Sequence, residues 1–322
     1  MKRLKIAILD GFTCVRDDLD WSAIEALADV SAYDRTPSEC IVERALGADV
    51  VLTNKVPMFE PQLRALPGLK YIGVLATGYN NVDLALAKKL GILVSNVPEY
   101  GSDSVAQAAF AHILNISNAV GRHSEAVAAG AWGKCPDVCF CLTRQVELAG
   151  KVMGIIGYGA IGSKVARIAA AFGMRVKAYS PSRKPGSSDS VAEFVGMDEI
   201  FGQSDIISLN CLLNDATKDI ICSRNISKMK RGVWIINTGR GGLVNEADLA
   251  AALLSGQVGA AGIDVLCKEP PAGGNVLIGL PNCFITPHNA WTSREARSRL
   301  INTVAENISS WISGSPKNIV NF

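Results

Sequence analysis

Residues 151–173 read KVMGIIGYGAIGSKVARIAAAFG, and their order decides the fold. The run 152–156 is short and apolar, as a buried parallel strand is, whereas Ile161, Val165, Ile168 and Phe172 recur at helical spacing. Between strand and helix stand Gly157, Gly159 and Gly162, a G-x-G-x-x-G turn. In such a unit the first glycine permits a tight turn, the second admits a pyrophosphate to the backbone, and the third lets helix and strand pack closely. The helix N-terminus adds free N–H groups and a partial positive charge. Gly157, Tyr158, Gly159, Ala160, Ile161 and Gly162 are therefore the expected phosphate-binding stretch of a dinucleotide site. About twenty residues further on, where an acid commonly holds the ribose hydroxyls of NAD, the chain has Tyr179-Ser180-Pro181-Ser182-Arg183-Lys184. No carboxylate repels a 2′-phosphate there, and Ser180, Ser182 and Arg183 can donate hydrogen bonds to one, so NADP(H) is favoured. NAD(H) stays open, because Arg183 and Lys184 also read as solvated surface charges.

Outward from this unit, short apolar runs alternate with helical stretches, the pattern of parallel sheets with crossover helices. Strands are expected near 152–156, 176–179, 206–209, 233–237, 260–265 and 283–285, and these six suit a complete dinucleotide-binding sheet. Upstream, five more are expected at 5–9, 30–33, 50–53, 71–74 and 92–95, with helices at 38–46 and 82–90 that stop at Gly47 and Gly91. A long helix runs from Ser102, read as its N-cap, to about Asn118. Residues 119–145, with Trp132 and several cysteines, read as a less regular arm for packing on a second subunit, or else as a loop folded back on its own domain. A last helix covers 293–313. The fold class is thus α/β, with two doubly wound parallel-sheet domains. One comprises 1–100 and 293–322, the other 101–292.

Bulk properties agree with two domains, since 322 residues exceed the usual single core. With 48% hydrophobic and 19% charged residues the composition is globular, and a formal charge of +2 without basic runs gives no footprint for nucleic acid or an anionic membrane. The opening MKRLKIAILDGF reads as a strand rather than a signal peptide, because Asp10 ends the apolar run early. No stretch suits a membrane span, and nine scattered cysteines fit a reducing compartment, so a cytoplasmic location is expected. Cys135, Cys139 and Cys141 lack a fourth ligand nearby in sequence, and no metal is expected.

Ligands of such sheets bind beyond the carboxyl ends of the strands. The residues standing there are Asn210 and Cys211, Thr238-Gly239-Arg240, Asp264, Glu269 and His288. Reduction of a 2-keto acid needs a cation for the carboxylate, a proton donor at the carbonyl oxygen and a hydride source at the carbonyl carbon. Arg240 can clamp the carboxylate, His288 can carry the proton, and Glu269 can orient the imidazole. Of the three histidines, His112 and His123 fall in or after the long helix, where a structural or exposed role is expected. Asn210, Cys211, Thr238, Gly239, Asp264 and His288 are expected to contact the cofactor, Asp264 on the nicotinamide side.

In the order GYGAIG, NTGRGGLVNEADL, GIDVLCKEPP and TPHNAW, the chain resembles the D-isomer-specific 2-hydroxyacid dehydrogenase family over nearly its whole length. The resemblance implies catalytic roles for Arg240, Glu269 and His288, and contact of Asp264 with the nicotinamide end. It also implies a flavodoxin-like substrate domain split by an inserted Rossmann NAD(P)-binding domain, a hinge between them and a homodimer. LTNKVP, ATGYNNVD, NVPEYGSDSVAQ and the ending TPHNAW-TSREAR are most similar to the glycerate dehydrogenase, or hydroxypyruvate reductase, branch. That similarity implies substrate contacts from Lys55, Thr77, Gly78 and Trp291 beside Arg240 and His288. It points to hydroxypyruvate or glyoxylate as substrate, giving D-glycerate or glycolate. D-lactate and D-3-phosphoglycerate dehydrogenases, and at a distance a nucleotide-sensing corepressor, share the same motifs. The chain departs from the family pattern at Leu212, where proline is frequent, and at Ser180.

Overall fold

The computed structural model describes residues 3–322, so the first two residues of MKRLKIAILDGF lie outside the described residues. The chain divides into two compact units, Met1–Gly101 with Trp291–Phe322, and Ser102–Ala290. Gly101, Trp291 and Thr292, expected at the two ends of the inserted domain, group with the first unit.

In the first unit, β1 (Lys5–Ile8), β2 (Asp29–Ala32), β3 (Val50–Thr53), β4 (Tyr71–Val74) and β5 (Leu93–Ser95) form one parallel sheet in the order β2-β1-β3-β4-β5. Period-two alternation sends Ile6, Ile8, Val50, Leu52 and Tyr71 to one face, where Leu300, Val304 and Ile308 of the helix Arg294–Ile312 cover them. Ala7, Leu9, Val51, Ile72 and Val74 face the other way, onto Ile41, Leu63 and Ala87 of three short helices. Two helix expectations are corrected. The stretch 38–46 is a 3-10 turn, Ser38–Cys40, followed by the helix Ile41–Ala45. The stretch from Val82 becomes helical only at Leu84, because Asp83 caps it by accepting from Leu86 N–H at 2.9 Å, and Val82 pairs with Met58 instead.

The second unit carries β6 (Val152–Ile156), β7 (Arg175–Tyr179), β8 (Glu193–Phe194), β9 (Ile206–Leu209), β10 (Val233–Asn237), β11 (Val258–Ile263) and β12 (Cys283–Ile285). All neighbours pair in parallel in the order β12-β11-β10-β9-β6-β7-β8. Seven strands replace the expected six. The addition, β8, pairs only Lys177 with Glu193 and Ala178 with Phe194, too short a run to show alternation in sequence. Strand order reverses between β9 and β6, which puts the glycine turn at the switch point where such sheets bind ligands.

The long helix spans Ser102–Asn118, with Ser102 already helical, and buries Val105, Ala106, Ala109, Phe110, His112 and Ile113. The arm is more ordered than expected: a helix, Val120–Ala128, starts after a left-handed Ala119, and a 3-10 turn covers Trp132–Lys134. None of residues 120–147 is buried within the chain. Among the described residues no helix is long and apolar enough to cross a membrane.

The two sequence segments of the first unit are joined through Arg297, whose side chain is 4% exposed. Its guanidinium donates to the carbonyls of Thr292, Cys14 and Val15 and to both carboxylate oxygens of Asp18 at 2.7 and 2.6 Å. A bidentate hydrogen bond from Arg297 holds the Asp18 carboxyl below its ordinary range. This contribution is therefore present above the unfolded carboxyl's pKa and is lost as pH falls through the lowered folded value. Replacing Arg297 with leucine strands three carbonyls and a carboxylate, and Tm is expected to fall by about 5 °C or more. Differential scanning calorimetry checks this, and an unchanged transition would refute the role of Arg297 as a tie.

Candidate active site

The turn after β6 fits a dinucleotide for reasons visible atom by atom. Gly157 has φ of +96°, and a Cβ there would lie 2.5 Å from the backbone nitrogen of Cys211. A Cβ on Gly162 would lie 2.0 Å from the carbonyl oxygen of Gly157, so the helix Ala160–Ala171 meets the turn backbone to backbone. Gly159 faces open space, and no side chain caps this helix, leaving the first N–H groups around Ala160 and Ile161 available to an anion. At the ends of β9 and β10, Asn210 Oδ1 and Thr238 Oγ1 are buried without a hydrogen-bond partner, as polar atoms that await a ligand are. The side chain of Tyr158 turns away to pack edge-on against Phe194 with centroids 4.9 Å apart, and burial pushes its phenol up to about 12. Beyond β7, Ser180 and Ser182 share a hydroxyl contact of 3.0 Å, and the Arg183 guanidinium lies 5.2 Å over the Phe194 ring. These residues fit NAD(P).

The residues expected to carry acid–base chemistry stand at the carboxyl ends of β10, β11 and β12. Buried Asn237 shapes the turn that carries Arg240, accepting from Gly239 N–H at 3.0 Å and donating to the Arg240 carbonyl at 2.9 Å. The Arg240 side chain is exposed and donates to the Gly239 carbonyl. At Gly241 an added Cβ would lie 2.0 Å from the carbonyl carbon of Leu266, so this turn abuts the loop that carries Glu269. Glu269 Oε1 accepts from Leu266 N–H at 2.9 Å, and its Oε2 lies 2.6 Å from His288 Nδ1. A carboxylate only accepts, so Nδ1 bears the proton. Asp264, 2% exposed, accepts from Thr286 Oγ1 and from the N–H groups of Asn289 and Ala290, while its carbonyl accepts from His288 N–H. His288 itself has φ of +50°, a conformation this clamp maintains.

The second unit thus gathers Gly157, Asn210, Cys211, Thr238, Gly239, Arg240, Asp264, Glu269 and His288 at one end of its sheet. Lys55, Thr77, Gly78 and Trp291 belong to the first unit. There Asp10 shapes the Lys55 loop by accepting from the N–H groups of Asn54, Lys55 and Val56. Thr77 is pinned by its hydroxyl to the Val97 carbonyl at 2.8 Å, and its own carbonyl accepts from Asn96. Trp291 meets Tyr100 edge to face at 6.2 Å.

Sequence reasoning passed over Asp10, Asn237, Glu246 and Thr286. Asp10 and Asn237 close strands, where short polar side chains bond to nearby backbone, and that signal was legible. Glu246 was not legible: it steadies the Glu269 loop from a distant helix, accepting from Cys267 N–H at 2.8 Å and Asn275 Nδ2 at 2.9 Å. Among the described residues no His, Cys, Asp and Glu group could hold a metal ion.

Residues 110–290 match the NAD binding domain of the D-isomer specific 2-hydroxyacid dehydrogenases. The chain is 46% identical over 321 residues to a hydroxypyruvate reductase of Blautia hydrogenotrophica, covering 99% of this chain and 100% of that one. It is 40% identical over 287 residues to a glycerate dehydrogenase of Methylorubrum extorquens, covering 88% and 89%. The crystal structure of a glyoxylate reductase from Paecilomyes thermophila superposes with a TM-score of 0.83 at 29% identity, covering 99% of each chain. The protein belongs to the D-isomer specific 2-hydroxyacid dehydrogenase family, a class of NAD(P)-binding oxidoreductases.

Backbone contact at Gly162 leaves nothing that can give way. Gly162→Val is expected to weaken nucleotide binding at least about tenfold and to lower Tm, because the helix must lift from the turn. Fluorescence titration with the reduced nucleotide checks this, and wild-type affinity would contradict the assigned contact.

Proposed function

We propose that this chain reduces hydroxypyruvate, and glyoxylate alongside it, to D-glycerate and glycolate. The 2.6 Å contact between Glu269 and His288 carries this reading, since it supports a proton-transfer imidazole at the same sheet end as the nucleotide turn. A bound reduced nicotinamide nucleotide supplies the hydride. Arg240 clamps the keto-acid carboxylate with its two-pronged guanidinium and polarises the carbonyl. His288 delivers the proton to the carbonyl oxygen from Nε2 and recovers it there in the reverse direction, because Glu269 keeps Nδ1 protonated throughout. Lys55, Thr77, Gly78 and Trp291 take the substrate-binding roles that family resemblance assigns them, and polar Lys55 suits a hydroxylated substrate better than lactate, whereas buried Asn54 donates its amide to the Leu75 carbonyl. Ser180, Ser182 and Arg183, with no acid among them, support a preference for NADPH.

Reduction of hydroxypyruvate, glyoxylate, pyruvate and phosphohydroxypyruvate with NADPH and NADH tests this. Hydroxypyruvate with NADPH is expected to give the highest kcat/KM, and Arg183→Ala should erode the nucleotide preference. Highest efficiency with pyruvate, or with NADH, overturns the corresponding half. His288→Ala is expected to cut kcat by about 10² to 10⁴ while nucleotide affinity survives. A matching loss of nucleotide affinity speaks against a proton-transfer role.

The arm supports a homodimer. Val120, Val127, Trp132, Val138 and Leu142 are each at least 40% exposed in the single chain, and an identical subunit is the partner a symmetric assembly offers. Sedimentation velocity is expected to give twice the monomer mass, and a monomer at micromolar concentration refutes it.

A further inference from the structure

His112 belongs to neither the nucleotide turn nor the acid–base pair, yet it is 6% exposed on the long helix Ser102–Asn118 and hydrogen-bonded. Its Nε2 lies 3.0 Å from Thr286 Oγ1, and that hydroxyl lies 2.6 Å from Asp264 Oδ1. A threonine hydroxyl has one proton. Asp264 takes it, so toward His112 the oxygen accepts, and the imidazole is the tautomer protonated at Nε2. Burial pushes the His112 pKa down against the pull of the Asp264 charge, which keeps the ring a neutral donor.

At Gly262, β11 leaves room for this ring. A Cβ at Gly262 would come within 2.5 Å of His112 Cβ and 2.8 Å of its Cγ, so any other residue there would expel the histidine. Downstream, the carboxylate that Thr286 orients also receives the N–H groups of Asn289 at 3.0 Å and Ala290 at 3.0 Å, the two residues after His288. His288 stands in left-handed backbone conformation, and its own N–H donates to the carbonyls of Asp264 and Thr286. Four linked groups therefore run from the helix to the backbone of the proton-carrying residue.

We infer that His112 is a positioning residue for the acid–base step, acting through Thr286 and Asp264 to hold the backbone of His288 so that its imidazole keeps its aim. The inference rests on the proton-transfer reading of His288. A core histidine that merely filled space would be replaced without loss by leucine. A relay member would not be, because Thr286 then loses its donor, Asp264 Oδ1 can rotate, and the turn at 288–290 loosens.

Purified full-length variants decide between these. His112→Leu is expected to lower kcat for hydroxypyruvate reduction about tenfold, with KM for nucleotide and keto acid held within about twofold, a misalignment cost rather than a binding one. His112→Gln places an amide N–H near the position of Nε2 and is expected to recover most of the loss. Thr286→Val should match His112→Leu, and combining the two should add nothing further. Imidazole ¹⁵N spectra give a readout independent of turnover. The chain has three histidines, and His112→Leu should shift the His288 resonances and leave those of His123 unchanged. Should His112→Leu fail to fold, Thr286→Val carries the same test. Unchanged kcat and unchanged His288 resonances in a folded variant overturn the relay, as does failure of His112→Gln to exceed His112→Leu. His288→Ala runs in parallel: if it retains turnover, the proton-transfer reading fails, whereas its loss beside an unaffected His112→Leu sinks the relay alone.

Discussion

The Asp264 carboxylate, sealed at the end of β11, must find donors or lose the hydration it gave up on folding. It finds Thr286, Asn289 and Ala290, and in doing so wraps the segment after β12 around itself. That wrapping is why His288 occupies a conformation a histidine rarely adopts, and why its ring reaches Glu269. Desolvation cost, repaid only by one chain path, is what converts a sheet end into a site.

The tautomer of His288 follows from the same geometry. Glu269 is itself tethered, through Oε1 to Leu266 N–H, and the loop is steadied by Glu246. A tethered carboxylate holds the imidazole by its Nδ1 proton. Arg240, by contrast, is held at its backbone by Asn237 while its side chain stays exposed. Glu269 is held at both carboxylate oxygens, whereas the Arg240 guanidinium is bonded to the neighbouring Gly239 carbonyl.

The first unit solves a different problem, because its sequence is interrupted between Gly101 and Trp291. Its final helix covers a sheet face left by strands from the chain start, and Arg297 ties that helix to the loop near Asp18 by five hydrogen bonds. Apolar burial supplies the cohesion, and the guanidinium supplies the register.

By itself the sequence determined the two α/β sheets and the glycine turn, and it placed Arg240, Glu269 and His288 at strand ends. Strand alternation, helical period and strand-end placement are local properties, written within a few residues of one another. Tertiary structure alone decided β8, whose two residues are strand only because β7 is beside them, and the ordered arm helix at Val120–Ala128. It alone decided, too, that His112, 176 residues before His288 in the chain, joins the group around Asp264. Contacts of that separation are set by packing across a sheet, where a missing Cβ at Gly262 matters as much as any residue present, and no local pattern encodes them.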